Sequence, residues 1–366
     1  MIRALFISIV PSPYQRDLFA ALAAKPDVSL RVCYLESETP GYPWPQRPLE
    51  PYEEVLPGKW LGLGGVRVHW NRHLPDPSAF DFVVLNGYTS WTAQWIMRHK
   101  MNGTPWCFWG ERLGPRVSGS REWVRQRLLA PLGRATGIVG IGTWAQKQYG
   151  NRFPGVRTFC LPYHCDLEPF LGTSRPAPQT DDVRFLFCGV MNERKGVDLL
   201  VSGFDRLIGK GVAARLDLVG QEAQLPEFLK SVSGAARSRI TFHGFQAPDR
   251  LPEYFARADV FVLPSRHDGW GVVVNQALGA GLAVVASDAV GAAHDLVEPE
   301  KNGLRFAGGD GEGLTQCLER LARDPALVRD WGLASRREAA EWLPERGADR
   351  WVEVMRALVH REKTNG

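Results

Sequence analysis

The sequence has few cysteines and pairs none of them in a C-x-x-C. Cys33, Cys107, Cys160, Cys165, Cys188 and Cys317 are scattered, mostly inside apolar runs. That spacing argues against a disulfide scaffold or a thiolate zinc site and points to reduced thiols in a cytosol. Cys160 and Cys165 flank His164 closely enough to be weighed as metal ligands, but small core residues beside a loop are the simpler reading. No apolar run reaches ~18 residues, so no transmembrane helix is expected. The run Ala4–Val10 is too short to cross a bilayer and stops at Pro11. It reads as a first strand, with no signal peptide visible. No G-x-G-x-x-G follows that strand, which argues against a dinucleotide oxidoreductase. No Asp-x-Asp stands at a strand end, and no nucleic-acid-binding module is recognised.

What is present fits two globular domains of ~150–200 residues in a chain of 366. The net charge of +4 is uneven: residues 1–165 carry 19 Lys/Arg against 11 Asp/Glu, and the remainder 25 against 29. A basic front half points to an anionic partner, a phospholipid surface or a lipid-phosphate acceptor, with a solvated basic face as the plain alternative. A location in the cytoplasm, or peripheral at the inner face of a membrane, is the corresponding expectation.

Along the front half, apolar runs at 4–10, 28–35, 82–85, 105–109, 137–142 and 156–161 read as strands. Pro11-Ser-Pro-Tyr14-Gln15-Arg16 follows the first, with Tyr14 and Arg16 as acceptor-side candidates at a helix start that attracts anions. Residues 40–57 are rich in proline and aromatics and can form neither a helix nor a central strand. They read as an irregular acceptor-side loop or a plain solvent loop. Asn86-Gly87-Tyr88 ends one strand, and Tyr88 joins the acceptor side. Gly110-Glu111-Arg112 ends the next. There Glu111 is a candidate to orient or deprotonate a hydroxyl, against a simple ion pair. Residues 121–134 interleave arginines with Trp123 and leucines, as in a basic amphipathic helix that rests on anionic lipid or on an ordinary domain surface.

The Pro/Ser/Thr-rich stretch 171–182 reads as a linker between a first domain, 1–170, and a second, 183–342. The second opens with strand Val183–Cys188 and the loop from Gly189 to Gly196. Arg194 and Lys195 lie there beside a glycine and a helix start, an arrangement that collects an anion. Strand 259–263 leads into Arg266-His267-Asp268-Gly269-Trp270-Gly271, then a helix, then strand 282–286. That is a βαβ unit, whose ligands bind at the carboxyl ends of the strands. Gly269 and Gly271 would let the backbone approach a ligand.

Pro264-Ser265, Asp268-Gly269-Trp270-Gly271, Asn275-Gln276-Ala277, Gly279-Ala280-Gly281 and Val284–Ser287, with Arg194-Lys195-Gly196, resemble the donor-site signature of family 4 retaining glycosyltransferases. Asp268 stands where that family usually has Glu, and Gln276 stands at its second Glu. The resemblance implies the GT-B fold: two Rossmann-like α/β domains facing across a cleft, with the last segment, 343–366, crossing back onto the first domain. It also implies transfer of a sugar from a UDP- or GDP-sugar to an acceptor hydroxyl with retention. Arg194 and Lys195 would hold pyrophosphate, Asp268, Gly269 and Trp270 would line the sugar, and Gln276 would hold ribose. Gly189, Gly244, Arg266, His267 and Gly271 would complete the donor site. No cofactor or metal is required on this reading, because two cations and helix ends supply the charge. The acceptor would be a glycan, a lipid-linked sugar or a small molecule. A sugar-nucleotide epimerase or a phosphorylase on the same architecture, and a non-catalytic sugar-nucleotide-binding protein, are the alternatives.

Overall fold

In this computed structural model the described residues are 1–38, 47–63, 66–101, 103–115, 118–173 and 182–359. Most of the expected linker and part of the proline-rich stretch lie outside them. The chain divides into two compact units, one made of Met1–Cys165 with Pro344–Gly366, the other of Asp166–Leu343.

In the first unit the strands are β1 (Ile2–Ser8), β2 (Val28–Tyr34), β3 (Glu53–Val55), β4 (Gly58–Leu63), β5 (Val66–Asn71), β6 (Phe82–Leu85), β7 (Trp106–Gly110), β8 (Gly137–Gly140) and β9 (Arg157–Cys160). All but β4 and β5 form one parallel sheet in the order β3-β2-β1-β6-β7-β8-β9. The strands read as continuous apolar runs because helices cover a parallel sheet on both faces. Leu5, Val83 and Ile138 are fully buried. The direction of the order reverses between β1 and β6, so the loops after these two strands border the ligand crevice of such a sheet.

Three features differ from the sequence reading. Glu53–Val55 is a strand inside the stretch expected to be irregular, and it sits at the sheet edge, where nearby prolines are tolerated. An antiparallel hairpin, β4 with β5, stands apart from the main sheet and was not foreseen. The sequence reads as broken at Trp342-Leu343-Pro344 with a last helix from Ala348, but the final helix is Pro344–Val359 and Pro344 opens it, since the first helical turn needs no N–H there. That helix belongs to the first unit. Trp351 is fully buried, edge-on to Phe6 at 5.1 Å and to Trp109 at 5.4 Å between ring centroids.

The second unit carries β10 (Val183–Cys188), β11 (Ala214–Val219), β12 (Ile240–Phe242), β13 (Val260–Leu263), β14 (Ala283–Ser287) and β15 (Gly303–Phe306). They form a parallel sheet in the order β12-β11-β10-β13-β14-β15. Its switch point lies between β10 and β13, which pair through Phe185–Val260 and Leu186–Phe261. Helix Val197–Gly209 buries Val197, Leu200, Val201, Phe204 and Leu207, the i, i+3, i+4 stripe of an amphipathic helix. The unit begins at Asp166, five residues before the start of the expected linker.

Candidate functional site

The strand order sets the site. The loop after β10 and the loop after β13 leave adjacent strand ends at the switch point, where an open α/β sheet forms a crevice. The first loop is shaped by its own residues. Asn192 accepts a hydrogen bond from the Lys195 N–H at 3.0 Å, and this tightens Glu193–Lys195 into a helical turn ahead of helix Val197–Gly209. Gly196 has φ +70°, and a Cβ there would stand 2.0 Å from the Pro264 carbonyl oxygen. Only glycine lets the two loops touch at that point.

Charge converges where they touch. Lys195 Nζ donates to Asp268 Oδ2 at 2.5 Å, Ser265 Oγ donates to the same oxygen at 3.3 Å, and Arg194 Nη1 stands 4.0 Å from Asp268 Oδ1. Lys195 and Asp268 are both largely buried, while the Arg194 side chain is 46% exposed. Arg194 is anchored by a bond to the His267 carbonyl at 3.1 Å, so His267 contributes its backbone to this arrangement. Gly189 and Gly244 link the turns around the crevice: the Gly189 N–H reaches the Val219 carbonyl and the Gly244 carbonyl accepts from Gly220 N–H, each at 2.9 Å.

Gln276 lies in the helix Val273–Gly279 that follows the second loop. Its Oε1 is buried and has no hydrogen-bond partner. Such an acceptor costs about 1–3 kcal/mol until a donor reaches it.

Two expected donor-site residues have other work. Trp270 is 1% exposed, and its indole Nε1 donates to Asn275 Oδ1 at 2.9 Å. A large apolar ring with one N–H is more stable buried with a partner than lining an open site. Trp270 therefore braces the loop rather than facing a sugar. Arg266 forks onto Asp198, Nη1 to Oδ1 at 2.7 Å and Nη2 to Oδ2 at 2.6 Å, and also donates to the Glu193 carbonyl. It clips the second loop to the first turn of helix Val197–Gly209. Gly271, at φ +95°, is packed against Val290 and Leu263, so its lack of a side chain serves the fold. Asp198 was missed in the sequence, while Ser265 and Asn275 stood in the quoted signature without a role of their own. Each is an ordinary residue that acquires its role through a contact across two loops or along one.

In the first unit the segments that follow β1, β7 and β9 bring Tyr14, Gln15, Glu111 and Tyr163 together. The rings of Tyr14 and Tyr163 lie 4.7 Å apart. Burial pushes the Tyr163 phenol well above its ordinary value, and its hydroxyl is hydrogen-bonded with Glu111 and Gln15. The Glu111 carbonyl accepts from Tyr149 at 2.9 Å. Arg16 is elsewhere. It is buried, with Nη2 2.6 Å from Glu53 Oε2, and it also donates to the Arg47 and Pro48 carbonyls. Burial alone would raise the Glu53 carboxyl, but Arg16, the Glu50 N–H and the Tyr34 hydroxyl outweigh it and hold Glu53 below its ordinary value. Glu53 and the two carbonyls engage all three guanidinium nitrogens of Arg16, so its expected role is corrected from meeting an anion to pinning residues 47–53 to the sheet. Tyr88 is half-buried, edge-on to Phe108 at 6.1 Å, and packs on the core beneath helix Trp91–His99.

His164 is fully buried, with Nδ1 2.9 Å from the Pro162 carbonyl. Among the described residues no cluster of three or more His, Cys, Asp or Glu is placed to hold a metal ion. No helix among them is long and apolar enough to cross a membrane.

The second unit is thus a parallel α/β domain whose switch point brings Arg194, Lys195 and Asp268 together. Residues 182–324 match the family model Glycosyl transferases group 1. The chain is 32% identical over 146 residues to the lipopolysaccharide core biosynthesis mannosyltransferase LpcC of Rhizobium leguminosarum bv. viciae, covering 38% of this chain and 41% of that one. It is 30% identical over 251 residues to the GDP-mannose-dependent alpha-(1-6)-phosphatidylinositol monomannoside mannosyltransferase of Mycobacterium tuberculosis, covering 63% of each. The matches span less than two thirds of either relative. Among solved structures, sucrose-phosphate synthase from Thermosynechococcus elongatus aligns with a TM-score of 0.75 at 20% identity over 98% of this chain and 99% of that one. HepE from Anabaena in complex with UDP aligns with a TM-score of 0.70 at 15% identity over 97% of this chain and all of that one. Residues 182–324 thus resemble the group 1 glycosyltransferases, and the two Rossmann-like units of the chain have the GT-B fold of these solved structures.

Proposed function

We propose that the protein transfers a sugar from a UDP- or GDP-sugar to an acceptor hydroxyl with retention at the anomeric carbon. The observation that carries this reading is the meeting of Arg194, Lys195 and Asp268 at the β10/β13 switch point. A diphosphate there is held by two cations and by the start of helix Val197–Gly209, which also favours negative charge. Charge grows on the leaving diphosphate as the glycosidic bond breaks, so these groups bind the transition state better than the donor. Asp268 keeps Lys195 in position beforehand and stands beside the sugar. The buried Gln276 Oε1 accepts a ribose hydroxyl, which relieves its unpaired state. Glu111, held by the Tyr163 hydroxyl, is the acceptor-side group that orients the attacking hydroxyl. The two lysine and arginine charges do the work that a metal does in other transferases, so activity persists in chelator.

The names of the relatives support a glycan or lipid-linked acceptor in polysaccharide or glycolipid assembly, since one is a lipopolysaccharide core enzyme and another acts on a phosphatidylinositol mannoside. A thermal-shift series with UDP, GDP and ADP and their sugars tests the donor site. At ~100 times its dissociation constant a donor stabilises by about 2.7 kcal/mol. The shift is expected with one nucleotide and absent in Lys195→Ala. A shift that survives Lys195→Ala removes the diphosphate role. A shift with no turnover on any acceptor makes the protein a sugar-nucleotide-binding protein instead.

A further inference from the structure

Three elements of the first unit carry large apolar side chains into solvent. In the hairpin of β4 and β5, Lys59 pairs with Trp70 and Leu61 with Val68, so these four share one face. Leu61 is 64% exposed and Trp70 63%. The Trp70 ring stacks on Trp91, itself 56% exposed, at 6.3 Å and 12°. Trp91 opens helix Trp91–His99, and Trp95 follows one turn later, also exposed. Helix Ser120–Leu129 adds Trp123, 60% exposed, and Val124. The three elements are joined. The Asn71 N–H donates to Thr92 Oγ1, while Gln94 and Arg98 donate to the Leu128 and Arg127 carbonyls.

The surface is basic as well as aromatic. These elements, with Lys100 just after the second, hold seven Lys/Arg; Arg67, on the other face of the hairpin, is paired with Glu36 and Arg125 with Glu122, which leaves Lys59, Arg98, Lys100, Arg121 and Arg127. Arg67 lies over the Trp60 ring at 4.3 Å, and Lys100 and Arg127 lie over Trp95 and Trp123 at 5.0 Å. Indole rings with cations beside them suit the headgroup level of a membrane, where one end of the group is apolar and the other wet.

We propose that this surface docks the protein onto an anionic phospholipid bilayer. Leu61, Trp70 and Trp91 enter the headgroup layer, and the arginines meet lipid phosphates. Leu61 and Val124 offer nothing to a hydroxyl-rich glycan. A second copy of the chain would bring the same five cations face to face, which disfavours a self-complementary contact. The inference concerns anchoring and stands whatever sugar is transferred.

Flotation with phosphatidylcholine vesicles, with and without phosphatidylglycerol, tests it. The protein is expected to float with the anionic vesicles and be released by high salt, with a blue shift of tryptophan emission on binding. Trp70→Ser with Trp91→Ser, and separately Arg121→Glu with Arg127→Glu, should each lower partitioning by about tenfold or more. Both variants should keep the wild-type melting temperature and nucleotide-induced shift, which separates loss of docking from loss of the donor site. Absence of flotation, equal flotation with neutral vesicles, or wild-type flotation of either double variant overturns the proposal. So does a concentration-dependent dimer in solution that the tryptophan substitutions abolish.

Discussion

Arg194 and Arg266 sit on touching loops, carry the same charge and expose similar fractions of their side chains, 46% and 37%. Their bonds separate them. Arg266 spends its fork on Asp198, whereas Arg194 gives one N–H to a backbone carbonyl and keeps the rest of its guanidinium beside Asp268. Hydrogen bonds to a charged group are worth about 1.5–3 kcal/mol, so Arg194→Gln should weaken nucleotide binding by roughly ten- to a hundredfold with little change in melting temperature. Arg266→Gln should do the reverse in kind: a drop in stability of about 1 kcal/mol or less and a nearly unchanged affinity per folded molecule. Isothermal titration and melting on the two variants check the pair. If Arg266→Gln costs more affinity than Arg194→Gln, the assignment of roles is inverted.

His164 gives a second prediction at this scale. Burial is the main cause that lowers its pKa from an ordinary 6.5 to about 4. The unfolded chain then binds a proton that the folded one refuses between those values. Stability is complete above pH 6.5 and falls as the pH drops toward 4, by up to about 3 kcal/mol from this residue. His164→Gln cannot titrate. Denaturant titrations of both proteins at pH 7.5 and pH 5 should therefore show a larger acid loss in the wild type. Equal losses would show that the ring is not the source.

At the scale of the element, the Gly196 turn joins the Arg194-Lys195 loop to the Pro264 loop. Gly196→Ala would demand a left-handed alanine and a Cβ within 2.0 Å of the Pro264 oxygen. The strain alone costs about 1–3 kcal/mol, and the loops must also part. The variant should melt lower and lose its nucleotide-induced shift, although no side chain proposed to touch the donor has changed. Retained binding would mean the two loops work independently. The same elements show what was legible beforehand. The β10 and β13 loops could be read because parallel strands announce themselves as apolar runs, and because Arg-Lys-Gly and Asp-Gly-Trp-Gly punctuate their ends. What could not be read was which polar residue answers which. Trp270 looked like a site residue until Asn275 took its N–H, and Arg16 looked like an anion hook until Glu53 buried it. The hairpin Gly58–Asn71 went unread although Val66-Arg67-Val68-His69-Trp70 alternates apolar and polar residues as a half-buried strand does.

At the scale of the whole chain, the two units differ in continuity. The second is an unbroken segment, Asp166–Leu343, with its own six-stranded sheet among the described residues. The proposed pyrophosphate, sugar and ribose contacts, from Arg194 to Gln276, all fall within it. The first needs a helix from the far end of the sequence. Trp351 fills the space between Phe6 and Trp109, and Ala348, Met355 and Leu358 are buried with it. Emptying one such tryptophan site costs about 3–5 kcal/mol, and a domain holds only about 5–15 kcal/mol in total. Removing the whole helix should therefore exceed what the first unit can lose. A fragment of residues 166–343 is expected to melt cooperatively and to keep the nucleotide-induced shift of the full chain. A fragment of residues 1–165 is expected to lack a cooperative transition, and to regain one when residues 344–366 are supplied in trans. Circular dichroism melts of the fragments decide it. A sharp transition in residues 1–165 alone would mean that the last helix only covers a core already formed.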